Sequence, residues 1–157
     1  MRLARHALYA AALLVLASPP ATCRADQPRP FGGPFRFVIA EVEPLGDGDV
    51  LIRGLLLDGH AQSLGRFAGA VEYLVHPDGS FEGTAIKVAS NGDELREVLA
   101  GSLTGTGSLG TFAVTGGTGR FARAAGGGTF ASAWTSPMTA DVHFRGSIRF
   151  NASDRRR

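Results

Sequence analysis

The sequence predicts an all-β domain of about eight short strands closed into one barrel, and three observations carry that expectation. Turn chemistry recurs at near-regular spacing: "GDGD" at 46–49, "DGH" at 58–60, "HPDG" at 76–79, "NGD" at 91–93, "GTG" at 105–107, "GGTG" at 116–119, "GGG" at 126–128 and "TSP" at 135–137. Between these turns apolar residues alternate with a period of two, as on a strand with one covered face. Phe-x-Gly also recurs at 67–69, 81–83 and 144–146. A glycine two places from a phenylalanine shares its face, which lets a ring lie over bare backbone while the sheet bends. Repeated bends favour a closed barrel over a flat sandwich.

The amino terminus stands apart from that domain. Residues 1–25 begin with Arg2, Arg5 and His6, run through an apolar segment from Ala7 to Ala17, and break at Ser18-Pro19-Pro20. This is the three-part pattern of a secretory signal peptide, with cleavage expected after Ala25. The apolar run falls short of the ~20 residues that span a bilayer, so no transmembrane anchor is expected. The destination is secreted or periplasmic. Cys23 carries an alternative as a lipidated cysteine, although the usual Leu three places upstream is missing. Cleaved after Ala25, the chain has no cysteine, and its fold must hold without a disulfide.

Charge narrows the partners. Loss of residues 1–25 removes Arg2, Arg5 and Arg24 and leaves 13 basic against 14 acidic residues, a net charge of −1. No basic patch interleaved with aromatics exists, which argues against nucleic-acid binding. Arg155, Arg156 and Arg157 form a basic tail at 151–157, read as solvated and disordered. Arginine outnumbers lysine fifteen to one. That bias suits a GC-rich bacterial genome, where the sequon Asn151-Ala152-Ser153 would be idle.

In chain order, 26–34 reads as a Pro/Gly linker and 35–150 as the barrel domain. "FRFVIAEV" and "DVLIRGLLLD" are apolar on both faces, as where a strand has contacts on each side. At 66–75, Phe67, Val71, Tyr73 and Val75 share a face opposite Ala68, Ala70, Glu72 and Leu74. "FEGTAIKVA" and "TFASAW" are further strands. The segment 92–102 admits a helical turn, with Leu95, Val98 and Leu99 in helical spacing and Asp93 as cap, but the β pattern resumes on both sides and a strand is expected. The last strand, 141–150, sets Val142, Phe144, Ile148 and Phe150 against Asp141, His143, Arg145, Ser147 and Arg149.

"FAVTGGTGRFARAAGGGTF" at 112–130 could pass for a nucleotide-binding glycine turn. Such a site needs a helix after the turn, with its N-terminus facing the phosphates. Here three consecutive glycines at 126–128 would end any helix, each costing about 1 kcal/mol. The remaining chain is also too short for further βαβ units. "GTGSLG" at 105–110 lies in the same glycine-rich β context. No nucleotide is expected; Gly116, Gly117 and Gly119 are read as a tight hairpin turn using positive φ angles.

The stretch "VTGGTGRFARAAGGGTF" resembles the Gly-Gly-Thr-Gly-x-Phe segment of dirigent proteins and of the allene oxide cyclase barrel-like family. Bacterial members of the latter are also similar around "LGRFAG" at 64–69, "SFEGTAIKVASNGDEL" at 80–95 and "FRGSI" at 144–148. The resemblance implies an eight-stranded antiparallel barrel with an apolar cavity and no metal or organic cofactor. In those families the barrel steers ring closure of a fatty-acid epoxide or the coupling of phenolic radicals, and the matching segments do not carry the catalytic residues.

Candidate site residues follow from charges on otherwise apolar strands. Glu41 shares a face with Phe35, Phe37 and Ile39; Arg53 with Leu51, Leu55 and Leu57; Glu72 sits beside Tyr73. If Glu41 or Glu72 meets Arg53 inside the barrel, the pair would orient a ligand; the alternative is a rim or strand-end ion pair. Tyr73 and Trp134 line the cavity or fill the core. His60, His76 and Asp78 would need two turns to meet before holding a metal, and none is expected. No Ser-His-Asp order with a nucleophile elbow occurs. Three functions remain: a barrel binding a small apolar molecule, a cofactor-free cyclase or isomerase acting on one, or a fully packed structural barrel. A homo-oligomer is compatible with each.

Overall fold

The computed structural model describes residues 27–150; the expected signal peptide, Cys23, the sequon and the basic tail lie outside them. Eight antiparallel strands close into a barrel in chain order: β1 (Arg29–Pro44), β2 (Val50–Ala61), β3 (Gly65–Val75), β4 (Ser80–Ala89), β5 (Glu94–Leu103), β6 (Gly107–Gly117), β7 (Ala125–Ser136) and β8 (Thr139–Arg149). β8 pairs with β1, so among the described residues no edge strand is left exposed. The segment 92–102 is strand, as its flanking pattern implied.

Strand direction gives the barrel two ends. Loops 45–49, 76–79, 104–106 and 137–138 crown one, called here the upper end; 62–64, 90–93 and 118–124 lie at the lower. The lower end is sealed by Phe31, Leu95, Phe121 and Ile148, each almost wholly buried.

Two expectations are corrected. Residues 29–34 are not linker: they open β1, and Phe31 is core. β1 pairs with β2 only from Arg36 onward, so Pro30 and Pro34 stand where that side has no ladder needing their missing N–H. Nor is Gly-Gly-Thr-Gly a tight hairpin. β6 and β7 are joined by residues 118–124, which contain a 3-10 turn at Gly119–Phe121. Gly116 (φ 128°) and Gly119 (φ 51°) take positive φ; Gly117 does not. Gly117 is required because a Cβ would collide with the Glu94 carbonyl oxygen. Thr118 locks the segment to β5: its N–H donates to the Glu94 carbonyl at 2.9 Å, and its Oγ1 accepts from the Glu94 N–H at 2.8 Å. The turn thus carries Phe121 into the barrel base.

The aromatic–glycine pattern also works differently from the expectation. Rings lie over glycines of the neighbouring strand rather than of their own: Phe67 over Gly59, Phe81 over Gly101, Phe130 over Gly110. Each pair is directly opposite in the ladder. A bare glycine leaves room for the opposite ring to lie flat along the inner wall.

Substitution at the base should therefore damage folding. Gly119→Val forces a β-branched residue to positive φ and should cost about 1–3 kcal/mol. Gly117→Val should cost a similar amount, roughly 1–3 kcal/mol, by overpacking against β5 backbone. Thermal unfolding should show both midpoints lowered by several degrees; wild-type midpoints would contradict the assigned packing.

Candidate functional site

The strand period decides what faces inward. In β4 the buried Phe81, Ala85, Lys87 and Ala89 alternate with Glu82, Thr84, Ile86 and Val88 on the outer face. In β5 Leu95 and Glu97 point in, while Arg96 and Val98 point out. Glu97 stands opposite Ala85, two places from Lys87, so the two charges are diagonal neighbours on one face. Long side chains reach across that spacing.

They meet inside the barrel. Lys87 Nζ donates to Glu97 Oε1 at 2.8 Å and Oε2 at 2.6 Å, and both residues are only 3% exposed. Nζ lies 4.0 Å from the centroid of Phe144, with Phe112 at 5.4 Å, Phe31 at 5.5 Å, and Phe35 and Phe67 at 5.7 Å. Taking each ion out of water costs several kcal/mol. The paired hydrogen bonds offset part of that, and a desolvated cation over a ring recovers about 2 kcal/mol. Burial still pushes the Lys87 amine below the ordinary lysine range, against the opposing pull of Glu97.

Above this pair lies a cavity of about 80 Å³. Lys87, Glu97, Phe112 and Phe144 form its floor; Tyr73, Phe81 and Phe130 its walls; Leu103, Ser108, Ser132 and Trp134 its mouth at the upper end. The Ser108 and Ser132 hydroxyls sit 2.7 Å apart across β6 and β7. Tyr73, buried, has its phenol pushed up to about 12, so it stays protonated at neutral pH. A mainly apolar concavity with few convergent polar groups is the usual form of a small-molecule site. A larger depression on the outer wall, between Glu72, Glu82 and Val98, is shallower and more polar.

Of the candidates read from sequence, Tyr73 lines the cavity and the charged three do not. Arg53 bonds Glu72 at 2.7 Å, Glu41 at 3.0 Å and Glu43 at 3.3 Å, but on the solvent-exposed outer wall of β1–β3. The guanidinium is held above its already high range by Glu72 first and then Glu41. A register shift between Ile39 and Glu41 explains the difference for Glu41. The bulge adds one residue, reverses the alternation and turns Glu41 out beside Arg53. Trp134, half-buried, is at the mouth. His60 and His76 lie at opposite ends of the barrel, and His76 Nδ1 is 3.1 Å from Asp49. Among the described residues no His/Cys/Asp/Glu group is arranged to hold a metal.

Lys87 and Glu97 are the residues that sequence reasoning missed. The available signal was that Lys87 is the chain's one lysine, set at even spacing from Phe81, Ala85 and Ala89.

Removing one partner should expose the cost of the pair. Lys87→Met leaves a buried carboxylate alone and should destabilise by about 3–5 kcal/mol, whereas Lys87→Met with Glu97→Leu should recover most of the loss. Denaturant unfolding of the three proteins checks this; a single variant no worse than the double would place the pair in water.

No protein-family model and no curated protein sequence matches the chain. Among solved structures it is similar to the pterocarpan synthase dirigent protein GePTS1, with TM-score 0.54 and 18% identity over 80% of this chain and 86% of that one. The likeness lies on the dirigent side of the resemblance seen in the sequence. The chain has a dirigent-like, closed antiparallel eight-stranded barrel.

Proposed function

We propose that the barrel binds a small apolar, ring-bearing molecule in the cavity above Lys87 and Glu97. One observation supports this most directly: an aromatic-walled, mainly apolar space inside the barrel with Lys87 and Glu97 at its floor and Ser108 and Ser132 toward the upper end. Size limits the occupant. At about 80 Å³ the space is smaller than the ~150 Å³ apolar cavity that admits benzene in another protein. A single ring fills it with slight outward adjustment of the walls, and anything longer projects past Trp134 through the mouth.

A second reading adds turnover. The structural neighbour is named a pterocarpan synthase and a dirigent protein, and an aromatic-walled chamber of this kind would hold a reactive ring in one orientation. Shape and a few polar groups then direct a reaction that is intrinsically ready to occur. Product formation separates this reading from binding alone.

Trp134 is the chain's one tryptophan and borders the mouth, so it reports occupancy. Titration with toluene or indene should give a saturable change in its emission. Ser132→Phe, which narrows the mouth, should weaken binding at least tenfold with little effect on the melting midpoint. Flat titrations would favour a barrel packed for structure alone.

We also propose export, on the pattern of residues 1–25. Protein recovered outside the cytoplasm should begin at Asp26. Retention of Met1 there would sink the proposal, and a diacylglycerol mass on Cys23 would replace it with a lipid tether.

A further inference from the structure

The chain uses arginine for fifteen of its sixteen basic side chains and lysine once. That lysine is the one set inside the barrel, at the floor of the cavity. The two cations differ in what they can do: a guanidinium keeps its proton, whereas an amine in an apolar site can lose it and act as a nucleophile. A purely electrostatic partner for Glu97 would be served by either.

We propose that Lys87 is a covalent anchor for a small carbonyl compound, an aromatic or unsaturated aldehyde or ketone, which it captures as an imine with Glu97 moving the protons. The inference rests on the cavity-binding reading and names the class of molecule bound.

Geometry supplies each part. Lys87 and Glu97 both line the cavity, so a carbonyl carbon seated on the floor meets the amine and the carboxylate together. At rest the two form an ion pair with a short hydrogen bond, Nζ to Oε2 at 2.6 Å. Passing one proton along that bond gives a neutral amine and a carboxylic acid. The pair's net charge is unchanged, and two buried charges are replaced by none, which an apolar surrounding favours. Desolvation of the ammonium acts in the same direction.

The amine nitrogen then attacks the carbonyl carbon. The C–N bond forms as the carbonyl π bond breaks toward oxygen, and Glu97 delivers its proton to that oxygen. The attacking nitrogen returns a proton to Glu97, which passes it to the new hydroxyl. The C–O bond breaks and water leaves. Overall an ammonium and a carbonyl become an iminium and one water, with no oxidant or reductant. The iminium is again a cation beside the Glu97 carboxylate and under the Phe144 ring, so the surroundings that hold the ammonium also hold the product. The water leaves toward the mouth, past Ser108 and Ser132.

A sole lysine makes the test direct. The folded protein is incubated with benzaldehyde and cyanoborohydride, which fixes an imine as a stable benzyl amine, and the modified residue is located by peptide mass mapping. The α-amino terminus is the internal reference. The expected result is one benzyl group on Lys87, formed at least tenfold faster than on the terminus, and slowed at least tenfold in the Glu97→Gln variant. Lys87→Met with Glu97→Leu should be labelled at the terminus alone while remaining folded. Toluene, which has the size but no carbonyl, is titrated in parallel by Trp134 emission. Labelling confined to the terminus of the wild type overturns the proposal. If toluene still binds, the cavity reading survives that result; if toluene does not bind, both fall.

Discussion

The register between β4 and β5 is the constraint on which the site depends, because it brings Lys87 and Glu97 together on the inner wall. Side chains alternate at every step of a strand, so a slip of β5 by one residue would send Glu97 outside, bring Arg96 and Val98 in, and leave Lys87 buried without its partner. An apolar interior has no use for either charge alone. Paired and under the Phe144 ring, they are tolerated there, and each enforces the other's placement. The base plug reinforces the same register: Thr118 grips Glu94, and Phe121 fills the space below the pair.

The rest of the interior follows from closing a sheet around aromatic rings. Phe67, Phe81 and Phe130 each take the space left by a glycine directly opposite, so bulky rings fit against a strongly bent wall. Packing is dense at the lower end and looser at the upper, where Leu103, Ser108 and Ser132 border the mouth. Stability and access are therefore separated along the barrel axis. The outer wall carries its own apolar residues, among them Leu55, Ile86 and Val98, each more than 40% exposed, beside the Arg53 carboxylate cluster. This accounts for strands that read as apolar on both faces.

Much of the architecture was legible in the sequence. Turn residues marked nearly every connection, and the alternation of β3 and β8 named the core residues Phe67, Val71, Tyr73, Val142, Phe144 and Ile148. What local pattern could not supply was parity across a bulge and the register between strands. Glu41 looked inward because the extra residue before it leaves no local mark in composition. The prolines at 30 and 34 looked like linker because their unpaired side is visible only once β8 and β2 are in place. Lys87 was hidden by its neighbours: Ile86 and Val88 make the opposite face equally apolar, and an isolated lysine ordinarily faces water. Its partner Glu97 sits among Arg96, Val98 and Leu99, where the same ambiguity holds.

One lysine gives one ammonium signal, so its titration reads the central claim without a mutation. Protein labelled with ¹⁵N at the lysine side chain should show a single Nζ resonance that exchanges slowly with water. It should titrate below the ordinary lysine value of 10.5, because burial outweighs the attraction of Glu97. An Nζ that exchanges rapidly and titrates at the ordinary value would place Lys87 on the outer wall. The β4–β5 register, the cavity floor and the chemistry built on it would then be wrong together.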